Sequence, residues 1–152
     1  MDVTLNAKLV FSLSVDCAPA LEVGKNDEGC LFVIPITGGT FSGDGMGEGI
    51  RGKILPGGAD WNTRYGVHAP EQVDASRVFA KYLIQTDDGV LIHVENEGFK
   101  SWKPGEQTKI VTNPRFQVQA GKYGWLNYGV YVGSLQGRED KSGVEINIYR
   151  ME

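Results

Sequence analysis

Apolar and polar residues alternate along this chain in one segment after another, and that period of two leaves little besides a β-sheet protein. Leu9, Phe11, Leu13 and Val15 share one side, opposite Lys8, Ser12 and Ser14. Val78, Ala80, Tyr82 and Ile84 repeat the pattern against Arg77, Lys81 and Gln85. Val90, Ile92 and Val94 oppose His93, Glu95 and Glu97, and Val144, Ile146 and Ile148 oppose Glu145 and Asn147. Successive side chains on a strand point to opposite faces, so each run buries one face and wets the other. The spacing predicts strands near 5–15, 30–36, 47–55, 77–86, 90–97, 107–112, 127–134 and 143–150, with a further short one near 39–42. No window carries a 3.6-residue apolar stripe long enough for a long helix. Segments 69–76 and 119–126 have room for one short helical turn each.

Glycine is the second constraint, at 21 of 152 residues, about twice the usual ~7%. Asp87-Asp88-Gly89 lies between two alternating runs and reads as a hairpin turn. Gly38-Gly39 and Gly57-Gly58 mark bends or bulges where a side chain would strike a neighbouring strand. Antiparallel strands in this number must close on themselves or split into two packed sheets. Frequent glycine at bends favours closure, which removes the edges that invite aggregation. The expected architecture is all-β, a single antiparallel β-barrel of about 8–10 strands occupying residues 1–152 as one domain.

Charge and cysteine content exclude several function classes. Fifteen Lys plus Arg against nineteen Asp plus Glu give a net charge of −4. Nucleic acid and anionic membranes both call for a basic stripe, so neither is an expected partner. No run approaches the length of a spanning helix. The opening MDVTLNAKLVFSLSVD lacks a basic flank and a small-residue cleavage site, so no secretory signal is expected. Cys17 and Cys30 are too few for a disulfide framework or a thiolate zinc site and read as small buried hydrophobes. A cytoplasmic protein with reduced thiols is the expectation.

The segment Thr37–Trp61, TGGTFSGDGMGEGIRGKILPGGADW, is the richest in glycine, yet it has neither dinucleotide nor P-loop spacing. It reads as a hairpin with bulges at a barrel rim. Arg51 within it either forks onto a ligand carboxylate or makes a surface salt bridge. Asp60 either holds backbone N–H groups of the turn or serves as a general acid or base beside the apolar wall of Trp61. His93 falls on the polar face of its strand, and His68 has no ligand-spaced partner, so no metal is expected. No nucleophile elbow and no cofactor motif occur, and no cofactor is expected. Trp61, Trp102, Trp125, Tyr123, Tyr128 and Phe116 sit at loop ends or strand starts, where they plug a barrel end or line a pocket. Asn127, in the dense YGWLN cluster, caps a turn or orients a ligand carbonyl.

The ordered set TGGT (37–40), IRG (50–52), LPGGADW (55–61), TDDG (86–89), NEG (96–98), NP.F (113–116) and Y.WLN (123–127) resembles domain-of-unknown-function family 3237, also called uncharacterised protein family 0311. The resemblance runs from about residue 5 to 150. It implies a small, lipocalin-like antiparallel barrel of bacterial and fungal origin, often oligomeric, with no established general function. Fungal relatives occur in natural-product pathways, which makes a cyclase or isomerase conceivable. The family's recurrent polar positions fall on Arg51, Asp60, Asp87, Asp88, Asn96 and Asn127, with Trp61 and Trp125 as aromatic partners. Lys81 and Gln85 stand where relatives often carry arginine, and Lys109-Ile110-Val111 replaces an aromatic pair.

Three functions remain open at this level, because fold does not choose among them. The first is a barrel that binds a small aromatic or otherwise apolar metabolite with a polar or anionic group. Arg51, Asp60, Trp61, Asn96, Trp125 and Asn127 form its expected ligand set. The second is cofactor-independent acid/base catalysis, such as cyclisation, isomerisation or lactone hydrolysis. Asp60 would be the acid/base and Arg51 the stabiliser of negative charge. The third is an assembly or partner-binding protein with a plugged barrel. A small-molecule ligand and a homo-oligomer are the partners to look for.

Overall fold

The structure, a computed structural model, describes residues 1–66, 75–101 and 109–152. Ten strands follow in chain order: β1 Ala7–Cys17, β2 Leu21–Asn26, β3 Gly29–Gly43, β4 Arg51–Ile54, β5 Ala59–Arg64, β6 Ser76–Thr86, β7 Leu91–Ser101, β8 Lys109–Val118, β9 Tyr131–Gly137 and β10 Gly143–Met151. All pair antiparallel, in the sequence β1-β10-β9-β8-β7-β6 and then, through β4 and β5, β3. Pairing of β1 with β3, from Phe11 opposite Gly43 to Cys17 opposite Ile36, closes the ring. With β4 and β5 sharing one position between β3 and β6, the barrel is eight strands round.

The closed antiparallel barrel agrees with the sequence expectation, and so does the Thr86–Gly89 turn, where the Gly89 N–H reaches the Thr86 carbonyl at 2.9 Å with Gly89 at φ +90°. Details differ. The runs at 30–36 and 39–42 are one long strand, β3, bent at Gly39. Strands β2 and β5 were not expected. Short 3-10 turns stand at Gly45–Gly47 and Gly124–Asn127; the second overlaps the anticipated turn at 119–126. The turn expected at 69–76, along with His68 and Trp102, lies wholly or mostly outside the described residues.

The barrel interior is filled unevenly. Phe11 on β1 is the hub of an aromatic cluster: Phe41 packs edge-on at 5.7 Å, Phe116 at 6.0 Å, and Trp125 stacks at 6.5 Å. Phe116 in turn meets Tyr131 edge-on at 5.1 Å. Together with Leu126 and Tyr123 from the Gly124–Asn127 region, these rings plug one end. The Tyr123 hydroxyl donates to Asp88 in the β6–β7 turn at 2.7 Å, tying the plug to that hairpin.

Between β4 and β5 the chain turns at Pro56-Gly57-Gly58, and this turn seats β5 on β6. A Cβ at Gly58 would run into the Tyr82 Cβ and the Lys81 carbonyl, so the close approach of the strands needs glycine there. We predict that Gly58→Ala destabilises the fold by about 1–3 kcal/mol through this overpacking. Gly137→Ala, with nothing within 4 Å of its Cβ, should stay within about 0.5 kcal/mol of the parent. Urea unfolding of both variants checks the pair.

Candidate functional site

Strand β5 reads Ala59-Asp60-Trp61-Asn62-Thr63-Arg64, and its pleat sends Asp60, Asn62 and Arg64 inward and Trp61 outward. The ladder between β5 and β6 is interrupted between the pairs Asp60–Ala80 and Thr63–Arg77. The Asp60 side chain fills that gap: one carboxylate oxygen accepts the Phe79 N–H at 2.7 Å, and the other accepts from the Asn62 amide at 3.2 Å. Asp60 thus has the backbone-holding role that its residue type suggests, but it holds a neighbouring strand rather than its own turn.

The half of the interior away from the aromatic plug is a cavity of about 980 Å³. Asp60, Asn62, Tyr82, Asn96 and Cys17 line it, with Ile34, Ile36, Val78 and Ile146 as apolar wall. Asn96 is only 2% exposed and Tyr82 4%. Three buried polar atoms of these residues, Asn62 Oδ1, Asn96 Oδ1 and Tyr82 Oη, have no hydrogen-bond partner among the described residues. Burial raises the Asp60 carboxyl above its ordinary pKa, against the two hydrogen bonds it accepts. Burial likewise holds the Tyr82 phenol well above its usual range. The Cys17 thiol is raised by burial first and by the nearby Asp60 charge second.

Register sorts the wall into rungs. Asp60, Ala80 and Asn96 lie side by side across β5, β6 and β7. Four residues nearer the open end, Arg64, Ser76 and Lys100 form a second rung. Arg64, the last residue of β5, lies over the Phe32 ring at 4.1 Å and forms no ion pair among the described residues. Arg138, also at this end, is by contrast bound to Asp16 and Glu145, each at 2.8 Å.

The residues expected from the sequence to share a site therefore divide. Asp60 and Asn96 meet in the cavity. Arg51 does not: it is exposed on β4, on the face opposite buried Ile54, because strand alternation sends the two to opposite sides. Trp61 is 48% exposed on the outer wall for the same reason. Trp125 belongs to the aromatic plug. Asn127 bridges strand β8, accepting from the Val118 N–H and donating to its carbonyl, both at 2.9 Å. There it replaces the strand pairing that β9 provides only over Ile110–Thr112. Asp87 and Asp88 sit in the β6–β7 turn, where Asp88 accepts from Thr86 and Tyr123, and these bonds hold its carboxyl below the ordinary value. His93 faces outward, half-buried, in a separate hollow of about 520 Å³ on the outer wall. Arg64, Asn62, Tyr82 and Cys17 were not singled out from sequence for the site. The alternation of Asp60, Asn62 and Arg64 was the available signal. Among the described residues no group of three His, Cys, Asp or Glu side chains is placed to hold a metal, and no helix is long and apolar enough to cross a membrane.

A closed antiparallel barrel, plugged at one end by aromatic rings and open at the other onto a partly polar cavity, defines the class. The chain belongs to the DUF3237 family of proteins of unknown function, whose profile matches residues 5–151. It is 31% identical over 160 residues to a UPF0311 protein of Rhodopseudomonas palustris, covering 97% of this chain and 98% of that protein. A crystal structure of a conserved protein of unknown function from Rhodopseudomonas palustris superposes with a TM-score of 0.84 at 30% identity, over 99% of this chain and 100% of that one. The fold is shared as well by an enzyme from Penicillium herquei, with a TM-score of 0.72 at 24% identity, over 100% of this chain and 98% of that one.

Two predictions separate the roles. Asn127→Ala should lose about 1–2 kcal/mol, for two backbone hydrogen bonds, in urea unfolding. Asp60 has a raised native pKa, so its contribution to stability is full below the ordinary value of 3.8 and fades as pH rises through the native value. Asp60→Asn removes that titration. Its stability relative to the parent should therefore improve as pH rises above the ordinary value, as measured by urea midpoints at successive pH values.

Proposed function

We propose that the barrel binds a small, largely apolar organic metabolite carrying a polar or anionic group, in the open half of its interior. The observation that carries this reading is a cavity of about 980 Å³ whose lining includes Asp60, Asn62, Tyr82 and Asn96, with buried Asn62 Oδ1, Asn96 Oδ1 and Tyr82 Oη lacking a hydrogen-bond partner among the described residues. A buried polar atom left without a partner costs about 1–3 kcal/mol, and native proteins keep few of them. A cavity so lined is suited to a guest that satisfies it, and its size lies at the upper end for small-molecule sites. A barrel serving only as an assembly unit would be better filled with apolar side chains.

A second reading is favoured by one further observation. The Asp60 carboxyl, with its pKa raised by burial, faces the same cavity, which suits a general acid or base. The likeness to the Penicillium herquei enzyme supports asking for turnover. The chemistry would be cofactor-independent proton transfer, as in a cyclisation, an isomerisation or a lactone opening. Asp60 would give or take the proton, and the Asn62 amide would orient its carboxyl.

A thermal-shift screen of aromatic acids, phenols, lactones and short fatty acids tests the binding reading. A ligand at a hundred times its Kd adds about 2.7 kcal/mol, so a saturable rise in Tm from one chemical class is expected. The rise should vanish in Ala80→Phe, which places a ring between Asp60 and Asn96. A flat screen of the parent protein would contradict the proposal. If a ligand is also turned over, Asp60→Asn should bind it but lose at least ~100-fold in kcat.

A further inference from the structure

We infer that the cavity selects a two-ended ligand, a hydroxyl-bearing carboxylate lying along the β5–β6–β7 wall with its hydroxyl inward and its carboxylate at the rim. This rests on the binding reading above and adds the identity and direction of the two ends.

The inner end is set by polar groups without a net positive charge. On the rung Asp60–Ala80–Asn96 and just beside it, the polar side chains lining the cavity are the Asp60 carboxyl, the Asn62 and Asn96 amides and the Tyr82 hydroxyl. The Asn62 amide donates to Asp60, and its buried oxygen has no hydrogen-bond partner among the described residues. A carboxyl, two amides and a phenol offer both donors and acceptors, a set that a hydroxyl, itself donor and acceptor, can satisfy. The surrounding Ile34, Ile36, Ala80 and Ile146 are apolar. A hydroxyl gives up far less hydration than an ammonium on entering such a place.

The outer end is set by cations. Arg64 and Lys100 occupy the ends of the next-but-one rung, with the small Ser76 between them. Neither is committed to a carboxylate among the described residues, whereas Arg138 nearby is bound to two. Asp140 is the acidic side chain that lines this end besides, and it is engaged with Ser142 at 2.6 Å. Stacking on Phe32 holds the Arg64 guanidinium in place while leaving its paired N–H donors free, the arrangement that suits a carboxylate.

The spacing is the same on two strands. Asp60 and Arg64 on β5, and Asn96 and Lys100 on β7, are each four residues apart, which on an extended strand is roughly 13 Å. Val78 lies between the rungs and offers an apolar bed for the ligand's body. Acidic and neutral polar groups inward and cations outward, repeated at one interval, give the site a polarity along the strand direction. Its span fits a phenol and a carboxylate at opposite ends of a phenylpropanoid-sized skeleton.

The test is calorimetric titration of the full chain with 3-(4-hydroxyphenyl)propanoate and three analogues: 3-phenylpropanoate, 3-(4-hydroxyphenyl)propan-1-ol and 3-[4-(aminomethyl)phenyl]propanoate. The expected result is binding of the hydroxy acid, with each analogue at least tenfold weaker. Arg64→Met should erase the preference for the acid over the alcohol. Tyr82→Phe should shrink the preference for the hydroxyl, with urea unfolding confirming that both variants are folded. Tighter binding of the aminomethyl compound would overturn the assignment of the inner end. An undiminished acid preference in folded Arg64→Met would overturn that of the rim. If these four compounds fail while another class in the thermal-shift screen binds, only this inference falls. If nothing binds at all, the binding reading falls with it.

Discussion

Everything in this molecule depends on the pairing of β1 with β3, which turns a ten-stranded antiparallel sheet into a closed ring. Closure removes two edges and fixes how much space lies inside. That space is then shared between two kinds of filling. Around Phe11, rings from β1, β3, β8, β9 and the Gly124–Asn127 turn pack edge-on and stacked. Towards the other end the ring cluster gives way to aliphatic and polar side chains around a cavity. The aromatic half supplies the stability that lets the other half stay open.

The open half is built by inverting the ordinary strand pattern. On β5 the inward side is Asp60, Asn62 and Arg64, while Trp61 faces outward. A strand with a polar inner face costs free energy unless each group finds a partner. Asp60 finds two, the Phe79 N–H and the Asn62 amide, and so becomes part of the wall that holds β5 to β6. Asn62 Oδ1, Asn96 Oδ1 and Tyr82 Oη find none among the described residues. Structure and binding capacity thus meet in one side chain: the carboxyl that repairs the ladder is the one whose desolvation raises its pKa inside the cavity.

This inversion also explains what the sequence made legible. Where an apolar face met a polar one, as on β6, β7 and β10, strands could be placed within a few residues, and closure followed from their number and the glycines. Strand β5 escaped because its hydrophobic side is the wrong one, so the residues nearest the cavity looked like a glycine-rich loop. Strand β2, exposed throughout most of its length, carries no buried face to betray it. Arg51 and Arg64 show how fine the distinction is, since each lies on a short strand after glycine and only the register decides which points inward. Asn127 was equally opaque: an amide that copies strand pairing to Val118 gives no sequence sign that differs from a ligand-binding amide. Asp60 and Asn96, by contrast, were named from sequence and lie in the cavity, Asp60 because a carboxyl beside an apolar wall invites both roles.

The central claim, that half of this barrel is open in the native state, can be tested without knowing any ligand. Cys17 lines the cavity, whereas Cys30 is 5% exposed and donates to Glu22 at 3.4 Å away from it. Alkylation with iodoacetamide at mildly alkaline pH, followed peptide by peptide by mass spectrometry, reports each thiol separately. The account predicts that Cys17 reacts in the folded protein at a rate unmoved by low urea, while Cys30 reacts only as the protein unfolds. Equal rates for the two thiols, rising together with urea, would show a closed interior and contradict it.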